Sequence, residues 1–297
     1  MEKHIFKFGA SSLAIIVPKK WADKHGLGPS SAINVTEGNR GELVMSPEET
    51  RIRDVERGIS RGLNPELLGR WVGLHYMYGT RKLRLYSKEG LTQAQLDSVE
   101  RKLNDECIGF EVTSQSNTDL VIEDFTNIKE IDIGKVVSRI RFLIDQEFKE
   151  IEEGDPRTVG KIEKRVNRFY MLGIRYVNMI QPREYARYLG MLTMLELVSD
   201  NIDVLSTTPL VRSRGLVDTL HRQFGRCFAA FDGDERAIEE VAGLRAAAVS
   251  RIGRERADKL HRHLLMEITD SIAKISEYGF NAERQGVGTA AEGGGQG

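Results

Sequence analysis

The stretch KFGASSLAIIVPKKWADKHGL, residues 7–27, decides how the N-terminal part folds. Ile5 to Phe8 and Leu13 to Val17 are rich in β-branched and aromatic residues, the signature of strands, and the small residues Gly9-Ala10-Ser11-Ser12 separate them. Pro18 then opens PKKWADKH, a helix start where the missing proline N–H costs nothing. Gly26 is placed to end that helix as a C-terminal cap. Downstream, Ile33–Thr36 and Glu42–Met45 read as two more strands around the turn Gly38-Asn39-Arg40-Gly41. A unit of roughly 45 residues without disulfides or metal ligands buries little surface alone, so its core is expected to come from a second copy.

Composition bounds the rest. The chain has 297 residues, enough for two or three domains. Its net charge of −1 confines any nucleic-acid contact to a local patch. Such a patch is available. Lys3, Lys7, Lys19, Lys20, Lys24 and Arg40 face only Glu2, Asp23, Glu37 and Glu42 within the first 46 residues, and Ser11 and Ser12 can add hydroxyl donors. These side chains suit the phosphate backbone, which positions a protein without specifying sequence. Cys107 and Cys227 lie far apart, with no zinc or disulfide spacing. No apolar run reaches the roughly 18 residues that span a bilayer, and MEKHIFKFG has no signal-peptide core, so a cytoplasmic protein without a transmembrane segment is expected.

Residues 64–126 change pattern. Pro65–Tyr78 reads as a helix, Lys82–Tyr86 as a strand, and Thr92–Asp105 as a helix with Thr92 and Gln95 in a capping box; Glu111–Thr113 and Leu120–Glu123 read as further strands. From 132 to 281 apolar residues recur at three- and four-residue steps, which predicts amphipathic helices of about 20 residues. The turns EEGDP and FDGDE, and the stretches LELVSDNIDVLS (195–206) and LMEITDSIAKIS (265–276), look like copies, so two three-helix repeats, 132–206 and 209–281, are expected. The Gly-rich end, 285–297, reads as a disordered tail. The expected fold is multidomain α+β: a small β-domain over 1–50, an α-β-α-β-β module over 64–126, and an all-α bundle.

Residues 7–27 with the later hairpin GELVMSP resemble the SpoVT-AbrB swapped-hairpin family. That resemblance implies two chains interleaving their strands and basic loop residues, here Lys7, Ser11, Ser12, Lys19, Lys20, Lys24 and Arg40, facing DNA. Ser30-Ser31 stands where the family usually has Gly-Asp, so a changed turn is expected. The helical portion resembles PhoU through its EGD-type turn and LELVSDNIDVL. The middle module looks like the insert of archaeal-type proteins that combine both parts. Together they imply a homodimeric DNA-binding regulator of phosphate uptake, with a phosphate transporter component or signalling protein as partner. The alternative is a PhoU-type adaptor that does not bind DNA.

Glu196, Asp200 and Asp203 fall within about 60° on one helix, roughly 150° from the stripe of Leu195, Val198, Ile202 and Leu205, so they are expected to face outward. The PhoU resemblance implies a divalent or iron-type metal ion on Glu196 and Asp200, with Glu163 and Asn167 as the partner pair. The second repeat departs further: Met266, Arg245 and Val249 occupy ligand positions. A solvated face is the plain alternative. No HExxH, GxSxG or P-loop occurs, and His261 and His263 beside Arg262 read as exposed, so no enzyme is expected. The rival from another class is a metal-dependent phosphoesterase on the acidic face.

Overall fold

In the computed structural model the hairpin of residues 7–27 forms as strands β1 (Ile5–Phe8) and β2 (Ser12–Ile15), antiparallel with Lys7 opposite Leu13 and Phe8 opposite Ser12. The structure describes residues 4–9, 11–37, 43–47, 53–153, 155–180, 185–208, 214–254 and 259–279. The Gly38–Gly41 turn, Lys3, Arg40 and the 285–297 tail lie outside these. Helix α1 (Lys19–Lys24) ends in a Schellman motif: Leu27 N–H bonds to Ala22 O at 2.9 Å, Gly26 N–H to Asp23 O at 3.2 Å, and Gly26 takes φ +65°. Strands β3 (Ile33–Glu37) and β4 (Leu43–Pro47) form a second antiparallel pair.

The turn after α1 contains Ser30-Ser31. Ser30 adopts φ +71°, the left-handed region that glycine occupies without strain, and the Ser31 hydroxyl accepts from Gly28 N–H at 2.9 Å. A serine thus occupies a backbone conformation that glycine adopts more readily. Ser30→Gly is therefore expected to stabilise the N-terminal unit by about 1 kcal/mol, read as a higher midpoint in thermal unfolding.

The chain divides into two units at Arg53 and Asp54. In the second, a four-stranded sheet of order β5-β6-β8-β7 comprises β5 (Arg53–Gly58), β6 (Thr80–Tyr86), β7 (Phe110–Gln115) and β8 (Asp119–Asp124). β5 extends the module N-terminally beyond residue 64. Helices α2 (Pro65–Met77) and α3 (Gln93–Glu106) cover the sheet around Leu68, Val72, Leu83, Leu85, Val99 and Ile122. Asn64 caps α2, and Thr92 with Gln95 forms the capping box of α3.

Six long helices follow: α4 (Ile133–Glu153), α5 (Pro156–Ile180), α6 (Tyr185–Thr207), α7 (Arg214–Phe231), α8 (Glu235–Arg254) and α9 (Lys259–Tyr278). Their apolar stripes share one core that runs from Val136 to Ile275. Two turns do the same work. Asp155 accepts from Arg157 N–H at 3.1 Å at the head of α5, and Asp234 accepts from Arg236 N–H at 3.0 Å at the head of α8. No described helix is long and apolar enough to cross a membrane.

The α/β module is fastened to α5 by Arg175. This side chain is fully buried, pairs with Asp124 of β8, donates to Tyr76 O and to Thr80 O (3.2 Å), and lies 4.8 Å from the Tyr76 ring centre. Asn178 adds a bond to Met77 O at 3.0 Å.

Candidate nucleic-acid interface and acidic helix face

The N-terminal unit exposes both apolar and basic side chains. Ile5, Phe6, Phe8, Leu13, Ile15, Ile16, Val35 and Leu43 are exposed, Leu13 by 73 % and Phe8 by 71 %, with Ile5, Leu13 and Ile15 on one face of the β1–β2 ribbon and Phe6 and Phe8 on the other. Helix α1 buries no residue, and two isolated two-stranded ribbons are marginal in water. Among the described residues the N-terminal unit buries no apolar side chain, and exposed apolar side chains in such number are typical of a surface that packs against another chain.

The basic side chains stand beside these, Lys7 directly opposite Leu13. Lys7 lies in β1, Ser11 and Ser12 in the turn and at the start of β2, and the antiparallel register brings Lys7 and the serines to one end of the ribbon. Lys19, Lys20 and Lys24 stand on α1, with Lys20 and Lys24 one turn apart on the same face. All six side chains are exposed. Arg40 lies outside the described residues. Residues 7–53 match the family described as antidote-toxin recognition MazE, bacterial antitoxin. The N-terminal unit is thus MazE-like, which agrees with a swapped-hairpin domain of the AbrB type. The match ends at residue 53, and no curated protein and no solved structure matches the chain.

The acidic residues lie elsewhere, on the helices beyond the MazE-like unit. Glu163 is on α5; Glu196, Asp200 and Asp203 are on α6. The outward, solvated face expected for them is not what forms. All four are half-buried, because α4, α5 and α9 pack against α6. Burial pushes the Glu163 and Glu196 carboxyls up to about 7, and Asp200 adds repulsion to both. Asp200 and Asp203 are raised for the same reason. Asn167 donates to Glu163 Oε1, so it orients that carboxylate.

A fifth acid belongs with them. Glu147 of α4 is fully buried; it accepts from Ser199 Oγ at 2.7 Å, while its Oε2 has no hydrogen-bond partner. Burial pushes its carboxyl to about 8, with Glu163, Asp203 and Asp200 raising it further. The α/β module adds Glu106 at the end of α3, whose charge also acts on Glu163 and Glu196 but which is itself paired to Lys102 at 2.6 Å. The donors are all hard oxygens, and a buried carboxylate oxygen without a partner fits a cation better than it fits a dry core. Among the described residues, however, no three such side chains already converge into a metal-holding group.

The Glu147 environment has a measurable pH consequence. Its folded value of about 8 lies above the unfolded 4.5, so the stabilised form is the neutral one. That contribution is complete below about pH 4.5 and is lost as pH rises through about 8. In EDTA the wild-type melting temperature is expected to fall between pH 6 and 9, and Glu147→Gln to flatten this fall.

His261 departs from its expected exposure. It is buried in α9 with 4 % of its surface accessible, while His263 is exposed. The helical periodicity carries this: His261 precedes Leu264, Leu265 and Ile268 on the inward stripe.

Proposed function

We propose that the chain is a homodimeric DNA-binding regulator of phosphate uptake and phosphate homeostasis. The observation that carries the DNA-binding part is the MazE-like unit, with Lys7, Lys19, Lys20 and Lys24 exposed and, among the described residues, paired to no acidic side chain. Two copies would cover the exposed apolar side chains and double the basic ones. Lysines and serines at a ribbon end supply backbone phosphate contacts, whose affinity falls steeply with salt.

The phosphate part rests on resemblance. An AbrB-like domain, an α/β insert and a bundle of six helices with GD turns heading α5 and α8 come in the order found in archaeal-type PhoU-like regulators. In this reading the helical region responds to a phosphate transporter component or a signalling protein, and to a divalent cation held by Glu163, Glu196, Asp200 and Asp203. Binding there shifts the population of DNA-competent dimers.

A second reading keeps the exposed apolar side chains and discards DNA. The MazE-like unit would then serve only to dimerise a PhoU-type adaptor or to recognise a partner protein, as the antitoxin description of the matched family suggests. The phosphate assignment is tested by mapping the DNA bound by the tagged protein in cells grown with and without limiting phosphate. Enrichment at phosphate-transport genes that changes with phosphate is expected. Binding that ignores phosphate, at unrelated genes, sinks the assignment.

A further inference from the structure

Helix α5 carries a line of cations that neither the core nor the α/β module consumes. Arg157, Lys161, Lys164, Arg165 and Arg168 are all exposed. At 100° per residue they fall within a sector of about 100° and recur at each turn over about 16 Å of helix. Buried Val159, Ile162 and Val166 form the opposite stripe and are spent on the core. Glu163, the one acid between Arg157 and Arg168, stands about 100° or more from every cation and belongs to the half-buried cluster with Asp200. Two turns beyond Arg168 the same sector reaches Arg175, which the module buries against Asp124.

Neighbouring groups neutralise little of this face. Among the described residues Lys164 alone of the five enters an ion pair, with Asp105 of α3 at 3.6 Å. Asp155 at the head of α5 is engaged by Arg157 N–H at 3.1 Å and by Thr158 Oγ1 at 2.5 Å. On the α4 side Arg139 adds a further cation, 5.1 Å from the Phe142 ring centre and 5.9 Å from that of Phe169.

We infer that this face of α5 binds the phosphate backbone of duplex DNA, which gives the helical region its own contact with the nucleic acid. The inference rests on the DNA-binding reading of the chain given above. Three observations choose the partner. A line of charge of one sign answers a polyanion, and a duplex presents one negative charge per about 1.7 Å of its axis. A helix lying on a membrane needs a free apolar face, and that of α5 is buried in the core. Interfaces between folded proteins are depleted in lysine and rich in apolar anchors, whereas every apolar side chain between Arg157 and Arg168 is buried. Contacts of this kind position DNA of any sequence and add to those of Lys7, Lys19, Lys20 and Lys24.

The test is the salt dependence of duplex binding by full-length protein, followed by fluorescence anisotropy. Wild type is set beside Lys161→Ala/Arg165→Ala/Arg168→Ala and a control of equal charge loss at exposed positions of α7 and α9, Arg222→Ala/Arg262→Ala/Lys274→Ala. Circular dichroism and ultracentrifugation check folding and mass. Each phosphate contact contributes about 0.9 to the slope of log affinity against log salt, so the α5 variant is expected to lose about 2–3 from that slope and to bind at least about tenfold more weakly at low salt. The control keeps the wild-type slope. A wild-type slope in the α5 variant overturns the inference, and if that variant also loses sedimentation with phosphatidylserine vesicles that wild type binds, the face belongs to a membrane. A control whose slope falls as far overturns it too, since net charge alone would then govern binding. A wild type that binds no duplex overturns the DNA reading itself, a result distinct from either.

Discussion

Arg175→Ala is expected to cost about 3–5 kcal/mol of stability, read as a lower urea midpoint at constant slope. The charge is wholly enclosed and answers Asp124, whose side chain is only 7 % exposed. Removing the guanidinium strands that carboxylate and leaves Tyr76 O and Thr80 O without their donor. The loss falls on the joint between the α/β module and α5. Asp124 is also held by Thr126, through N–H at 3.0 Å and Oγ1 at 2.6 Å, so Asp124→Asn keeps part of its network. Arg175→Ala/Asp124→Asn should therefore cost less than the sum of the single changes, since no buried charge is left alone. Additive costs would mean that the two groups do not depend on each other.

Leu13→Glu is expected to convert the protein from dimer to monomer, as read by analytical ultracentrifugation. Leu13 sits in β2 on the ribbon face that also carries the exposed Ile5 and Ile15, and each large side chain buried at an interface contributes about 1.5–3 kcal/mol. A carboxylate placed there must either be desolvated or keep the surfaces apart. The helices of the second unit have their own core and should retain their circular dichroism. A dimer of unchanged mass would move the dimer contact elsewhere in the chain.

Much of the fold is written locally. The hairpin at Ile5–Ile15, the Gly26 stop, the Thr92–Gln95 capping box and the long helices beyond residue 132 all follow from residue type and spacing within a few residues. Strand β5 does not, because RDVERG has a single large apolar residue and gains its place only from the neighbouring β6. Arg175 is equally illegible: in a helix pattern an arginine reads as solvent-facing, and only the docked module supplies its partners. The acidic face shows the same limit. A helical wheel gives the angle of Glu196, Asp200 and Asp203 from their own stripe, but not that neighbouring helices cover α6 on several sides. Glu147 did leave a trace, as a carboxylate within the stripe of Ile140, Leu143, Ile144, Phe148 and Ile151. The basic residues were legible as a charge imbalance; their shared exposure was not.

The most direct test of the regulator account is a DNA-binding titration of the full-length protein at two salt concentrations, beside Lys7→Ala/Lys19→Ala. Wild type should bind and weaken at least tenfold between about 50 and 200 mM salt, as expected when several phosphate contacts release counterions. The double variant should stay folded and dimeric yet lose that binding. No binding by wild type at the lower salt, or an unchanged affinity in the folded variant, would contradict DNA recognition by this surface.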